Sequence, residues 1–202
     1  MGTAHIGIAG FMGAGKSTCS RFLSEACGGA RIIDADAEAK LLMQGDAAIK
    51  RELVETFGAA IIPRNDIAFP ALGVMAFRSA ENLWALNRIV HPALINRLKE
   101  RVFANSDSCI ICDAALIPLW HIEKWFDILI WVRASFEKRY GRLKTKIKLP
   151  TAQLIARMEL QQALFDEPDQ MPWNIIVNHG TREELKIKSQ SCILSKGEEH
   201  FS

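Results

Sequence analysis

Apolar positions along the chain follow two rhythms: short unbroken runs and spacings of three and four. The first run, His5–Ala9, reads as a buried strand. A glycine-rich stretch at 10–15 follows, then a segment whose Phe22, Leu23 and Ala26 share one helical side. Gly28-Gly29 stops that helix, as glycine does past a helix C-terminus. A second apolar strand at 31–33 ends at Asp34. Strand, loop, helix, strand is the opening of an open parallel sheet flanked by helices.

From 35 to 105 the pattern is helical, with no strong strand. Helices are expected at Ala47–Phe57, 82–90 and 92–103, the last with Pro92 at its first position, and a turn at 63–66. Three further apolar runs, at 108–112 (ending at Asp113), 127–132 and Trp173–Val177, predict strands. Helices are expected at 135–148, 151–164 and 181–193, the last capped by Thr181 with Glu184 three residues on. Asn178-His179-Gly180 reads as a turn, and 196–202 as a frayed polar tail. The sequence contains no internal repeat. The expected fold is α/β: a three-layer open parallel sheet with a helical insertion at 35–105 and a helical lid at 138–171. Segments 1–34, 106–137 and 172–195 then form the core.

Composition narrows the class. A chain of 202 residues with 49% hydrophobic content can bury one sizeable core. Charged residues at 24% and a net charge of +2 argue against disorder and against a general nucleic-acid binder. No segment approaches the ~18 unbroken apolar residues of a membrane helix. The sequence enters its first motif too early for a signal peptide, so a cytoplasmic protein with no membrane or nucleic-acid partner is expected, a monomer or weak homo-oligomer. Five scattered cysteines do not make a disulfide framework. Cys109-x-x-Cys112 fits either metal or redox chemistry or two buried thiols.

Gly10-Phe11-Met12-Gly13-Ala14-Gly15-Lys16-Ser17 matches G-x-x-x-x-G-K-[ST] in full, between a strand and a helix. This is the phosphate loop of P-loop NTPases. Its glycines let backbone N–H groups of Gly10, Met12, Gly13, Ala14, Gly15 and the Lys16-Ser17-Thr18 turn gather around phosphates. The helix that follows points its positive end at them. Lys16 supplies a cation for the β/γ oxygens of ATP, and the Ser17 hydroxyl a ligand for Mg²⁺.

Acids at strand ends are the second constellation. Asp34 can take a proton from an attacking hydroxyl, or cap the next helix. Asp36 can assist or reach the metal, directly or through water. The pair reads as lying on extended chain, and its two members need not act together. Asp113 suits either a magnesium contact or a turn. The third constellation is basic: Lys138, Arg139, Arg142, Lys144, Lys146 and Lys148, with Arg157 on the next helix. Such a run is a solvated face, or a lid that closes over ATP with Arg142 and Arg157 on the transferred group.

Several stretches together resemble the dephospho-coenzyme A kinase family across residues 5–190. Ile33-Asp34-Ala35-Asp36 is similar to its I-D-A-D segment, whose first aspartate is taken as the catalytic base. Asn87-Arg88-Ile89-Val90-His91-Pro92 resembles its L-N-x-h-h-H-P junction (h, hydrophobic). Arg142 with Lys146, then Arg157-Met158-Glu159-Leu160-Gln161, resembles its lid pattern. Val177-Asn178-His179-Gly180-Thr181 resembles the turn that lies near adenine, which brings in Asn178 and Gly180. The resemblance implies transfer of the ATP γ-phosphate to the ribose 3′-hydroxyl of dephospho-coenzyme A, with 35–105 as the coenzyme-binding lobe. It also implies Lys40, His91 and Asp34 as acceptor contacts; His91 suits local packing as well.

The chain departs from the family at five positions. Lys40 and Phe69 stand where arginines are usual, Ala115 and Leu119 where a proline and a glutamate are usual, and Lys146 replaces a lid arginine. Ala115 and Leu119 lie in the stretch that opens at Asp113. Lysine keeps the charge but loses the bidentate fork. Shikimate kinase is the rival enzyme, since residues 10–18 also resemble its phosphate loop, but its G-G-G turn and R-x-x-F-R-x-x-E segment are missing. A catalytically silent ATP-binding relative is the alternative of another kind.

Overall fold

The computed structural model describes residues 4–64, 66–104, 109–169 and 172–197. Its centre is a five-stranded parallel sheet in the order β2-β3-β1-β4-β5. The strands are β1 (His5–Ala9), β2 (Arg31–Asp34), β3 (Ile110–Asp113), β4 (Ile128–Arg133) and β5 (Trp173–Val177). Nearly all of their side chains except those of β2 and β5 are buried, as expected of a parallel sheet covered on both faces. The chain separates into two compact units: residues 1–34 with 102–202, and residues 35–101.

In the first unit, α1 (Lys16–Ala26) and α9 (Arg182–Gly197) share one core with the sheet. Phe22 and Leu23 of α1 and Leu185 of α9 pack with Ile6, Ile8, Ile111, Ile130 and Val132. Trp131 is fully buried and meets Phe11, Phe165 and Trp173 edge-on, with ring centroids 5.2, 6.0 and 6.0 Å away. Its indole N–H donates to Glu167 at 2.6 Å, so the one polar atom of the ring keeps a partner. Helices α7 (Phe136–Lys146) and α8 (Thr151–Gln162) form a hairpin around Leu143, Leu154 and Met158.

In the second unit the helices are α2 (Ala35–Gly45), α3 (Ala47–Phe57), α4 (Phe69–Ala76) and most of α5 (Ala80–Phe103). Asp46 caps α3 through the N–H groups of Ala48 and Ile49 at 2.8 and 3.1 Å. Glu38 of α2 accepts from Arg97 and Arg101 of α5, which joins the first and last helices.

The structure differs from the sequence reading in three places. Helix α5 runs unbroken through Pro92, where two helices were expected. Its buried stripe Leu83, Asn87, Val90, Leu94, Leu98 keeps helical spacing across the proline, so packing outweighs the one missing N–H. Asp36 is in the first turn of α2, because β2 passes into that helix without a loop. The pair Asp34 and Asp36 is therefore not two residues of one extended segment. Asp113 is the last residue of β3, as expected from the end of its apolar run. A four-residue helix, α6 (Ile117–Trp120), and a single 3-10 turn at Glu123–Trp125 connect β3 to β4; neither has the length to show a period. Ser108, expected to start β3, lies outside the described residues.

Candidate active site

The phosphate loop leaves the C-terminal end of β1 and enters α1 at Lys16. Two of its glycines are required by geometry. Gly10 has φ 145° and Gly15 φ 108°, both in the region that disfavours side chains. A Cβ at Gly10 would strike the Val132 carbonyl, and one at Gly15 would strike the Asn178 side-chain amide.

Residues far along the chain hold the loop open. Asn178 donates from Nδ2 to the Ala14 carbonyl at 2.7 Å. Arg142 donates from Nη1 to the carbonyls of Gly13 and Ala14 at 3.2 and 3.1 Å, and from Nη2 to that of Asn178 at 2.8 Å. With the Ala14 carbonyl drawn toward these donors, the Gly15 N–H across the same planar peptide points the other way. Asn178 is itself fixed, because its N–H extends the β4–β5 ladder to the Arg133 carbonyl at 2.8 Å.

Beside the loop is a cavity of about 470 Å³. Five cations line it: Lys16, Arg21, Arg142, Lys146 and Arg182, with no acid among the lining residues. Such a concave basic site suits a polyanion. Of the expected residues, Gly13, Gly15, Lys16, Ser17, Thr18, Arg142, Asn178 and Gly180 reach this cavity. Gly10, Met12 and Ala14 do not line it and act on the loop's shape. Arg157 sits on α8, outside the lining set. Burial lowers the pKa of Arg142 and Arg157 from the usual arginine value.

The acids of this unit meet at the sheet's C-terminal edge. Asp34 and Asp113 are register partners on β2 and β3, and Asp113 is also paired with Ile8 of β1. Asp34 is exposed, whereas Asp113 is buried and accepts from Ser20 Oγ at 3.3 Å. The same hydroxyl lies 3.0 Å from the Lys16 carbonyl, so β3 is tied to the first turn of α1. An exposed carboxylate there can accept a proton; a buried one can orient the helix start or a metal's water shell.

The basic run divides once it is folded. Arg142 and Lys146 face the cavity, but Arg139 is 3% exposed and structural. Its guanidinium stacks over Phe11 and Phe136 at 5.2 and 5.4 Å and donates to Gln162 at 2.9 Å. Lys138, Lys144 and Lys148 are exposed. Reading the run as one lid therefore overcounted its cations. Two other cations were missed. Arg21 lies on α1 beyond the motif. Arg182 starts α9 two residues after Gly180, stacked over Phe22 at 5.5 Å. Both follow a recognised motif, and that proximity was the available signal.

The second unit carries Lys40 and His91. Lys40 Nζ lies 6.0 Å from the Phe69 ring, so two of the departures from the family pattern are in contact with each other. His91 lines a surface cavity of about 720 Å³ with Trp84, Asn87, Arg88 and Pro92. Burial pushes the His91 pKa down to about 4. The Cys109-x-x-Cys112 pair makes no metal site: no group of three metal-binding side chains occurs among the described residues. Burial pushes both thiols up to about 12. No helix among the described residues is long and apolar enough to cross a membrane.

The sequence matches the family described as dephospho-CoA kinase over residues 4–184. The dephospho-CoA kinase of Salinibacter ruber is 32% identical over 188 residues, which cover 91% of this chain and 93% of that one. A solved Thermus thermophilus structure superposes with a TM-score of 0.67 at 23% identity, covering all of both chains. Acinetobacter baumannii shikimate kinase, solved with shikimate, superposes at 0.54 and 18% identity, covering 96% of this chain and 94% of that one. The fold is thus shared with the rival enzyme and does not choose between acceptors. The sequence match does: the chain belongs to the dephospho-CoA kinase family, a family of ATP-using kinases.

Proposed function

We propose that this protein transfers the γ-phosphate of ATP to the ribose 3′-hydroxyl of dephospho-coenzyme A. The observation that carries the reading is the cavity at the phosphate loop, lined by Lys16, Arg21, Arg142, Lys146 and Arg182 without an acid. The triphosphate lies along the loop, where the helix N-terminus and Lys16 attract it. Asp34, exposed at the end of β2, accepts the hydroxyl proton as the oxygen attacks phosphorus in line. Lys16 and Arg142 bear charge that builds on the transferred group, with Arg157 a further cation for it. Arg142 exchanges its loop carbonyls for phosphate oxygens as it does so. Asn178 and Gly180 border the nucleotide site.

The Ser17 hydroxyl, with Asp113 behind the first turn of α1, fits a Mg²⁺ ion that keeps most of its waters. Such an ion would neutralise charge on the β and γ oxygens. Within the second unit, Lys40 and His91 are the proposed acceptor contacts, with His91 as a neutral imidazole at pH 7.

The test is ADP release with Mg·ATP and dephospho-coenzyme A, with the product weighed for one added phosphate. Turnover with that acceptor and none with shikimate supports the reading. Tight ATP binding with no turnover on either would make the chain a silent relative and refute it.

A further inference from the structure

Met12, at the tip of the phosphate loop, is held from outside the nucleotide cavity. Its side chain packs against the α7–α8 cluster of Leu143, Leu154 and Met158. Its backbone N–H donates to Gln161 Oε1 of α8 at 2.6 Å, across 149 residues of sequence. Phe11, the residue before it, is gripped at the same end of α8 by Phe165, whose ring centroid is 5.5 Å away. The loop tip and the C-terminal half of α8 are therefore one assembly, made by a polar contact and an apolar one.

Arg157 is four residues before Gln161, one helical turn away on the same side of α8 and about 6 Å along the axis. Any rotation or slide of α8 about the loop moves Arg157 by a similar amount. We propose that Gln161 is a positioning residue for phosphoryl transfer: by accepting the Met12 N–H it sets the register of α8 against the phosphate loop, and so the place of Arg157. Gln161 touches no reacting atom. The inference rests on the phosphoryl-transfer reading above, in which Arg157 supplies charge to the transferred group.

The contact is specific enough to test. Gln161→Leu keeps the side chain's bulk and removes the acceptor, while Gln161→Glu keeps an acceptor oxygen on the same stem. Single-turnover phosphoryl transfer to dephospho-coenzyme A in Gln161→Leu slows by about tenfold or more, because misplacement by an ångström can cost on the order of 100-fold. Loss of one hydrogen bond lowers its melting temperature by no more than about 4 °C. Gln161→Glu recovers most of the lost rate. In an Arg157→Ala background, Gln161→Leu has no further effect, since residues that act through one group are not additive.

A parent protein inactive on dephospho-coenzyme A sinks the phosphoryl-transfer reading and this inference with it. An active parent with an equally active Gln161→Leu overturns the inference alone. So does an unaffected Arg157→Ala protein, or a double variant whose losses multiply.

Discussion

The phosphate loop and helix α5 satisfy their polar groups by opposite means. In the loop, the carbonyls of Gly13 and Ala14 and the Met12 N–H are taken up by Arg142, Asn178 and Gln161 from far along the sequence. Helix α5 satisfies its backbone within itself and is fixed by an apolar stripe. What remains over on α5 is one side-chain group, Asn87 Nδ2, buried without a hydrogen-bond partner; burial also keeps His91 neutral. Changes in the loop should therefore cost chemistry before stability, and changes in α5 stability before chemistry.

The largest effect that would sharpen this contrast is on turnover. Lys16→Ala should cut kcat about 100- to 1,000-fold by removing a cation from the transferred group. Asp34→Asn should cost about 100- to 10,000-fold, the range of a lost general base. Steady-state kinetics and a thermal melt check both, and the melts should barely move. A large melt shift in Lys16→Ala would mean that the loop is also a structural keystone.

Next is Leu98→Ala, which empties a fully buried site in α5. It should destabilise by about 2–5 kcal/mol in urea unfolding, while the folded fraction keeps its turnover. Full stability with poor turnover would reverse the contrast. Asn178→Ala lies between the regions in kind. It should cost about 1 kcal/mol, because the Ala14 carbonyl loses one donor and keeps Arg142, and raise KM for ATP.

The smallest effect is on pH dependence. The folded-state pKa of His91 is about 4 against an ordinary 6.5, so the unfolded chain binds the proton more readily. Its stabilising effect is complete above pH 6.5 and is lost as pH falls toward 4, by at most about 3 kcal/mol. Urea midpoints at pH 7 and 5 should differ less in His91→Gln than in the parent.

Where local rules dominate, the sequence was legible. The loop, its flanking strand and helix, and the turn at Asn178 were readable because glycine and Lys16 have few other uses in that order. Tertiary choices were not. Arg139 and Arg142 belong to one basic run, yet one is buried against Phe11 and the other faces the cavity. Helical spacing already separates Arg139 and Leu143 from Arg142 and Lys146, and counting charges hid it. At Pro92 a local rule was trusted over the stripe that crosses it. Gln161 stood in a recognised pattern, but nothing in one sequence says that its partner is a backbone N–H across the fold.

The order of the strands bears on how the protein is made. β1 lies between β3 and β4, so neither neighbour of the strand that launches the loop exists until residues 110–133 have been synthesised. The two donors that hold the Ala14 carbonyl come later still, 128 and 164 residues downstream. The motif is synthesised before all of these partners and acquires its shape only after them. A nascent chain broken off before Asn178 would carry every letter of the nucleotide signature and lack the scaffold that gives it meaning. Contacts of such sequence separation are the slow ones to form, and the finished shape of the loop waits on them.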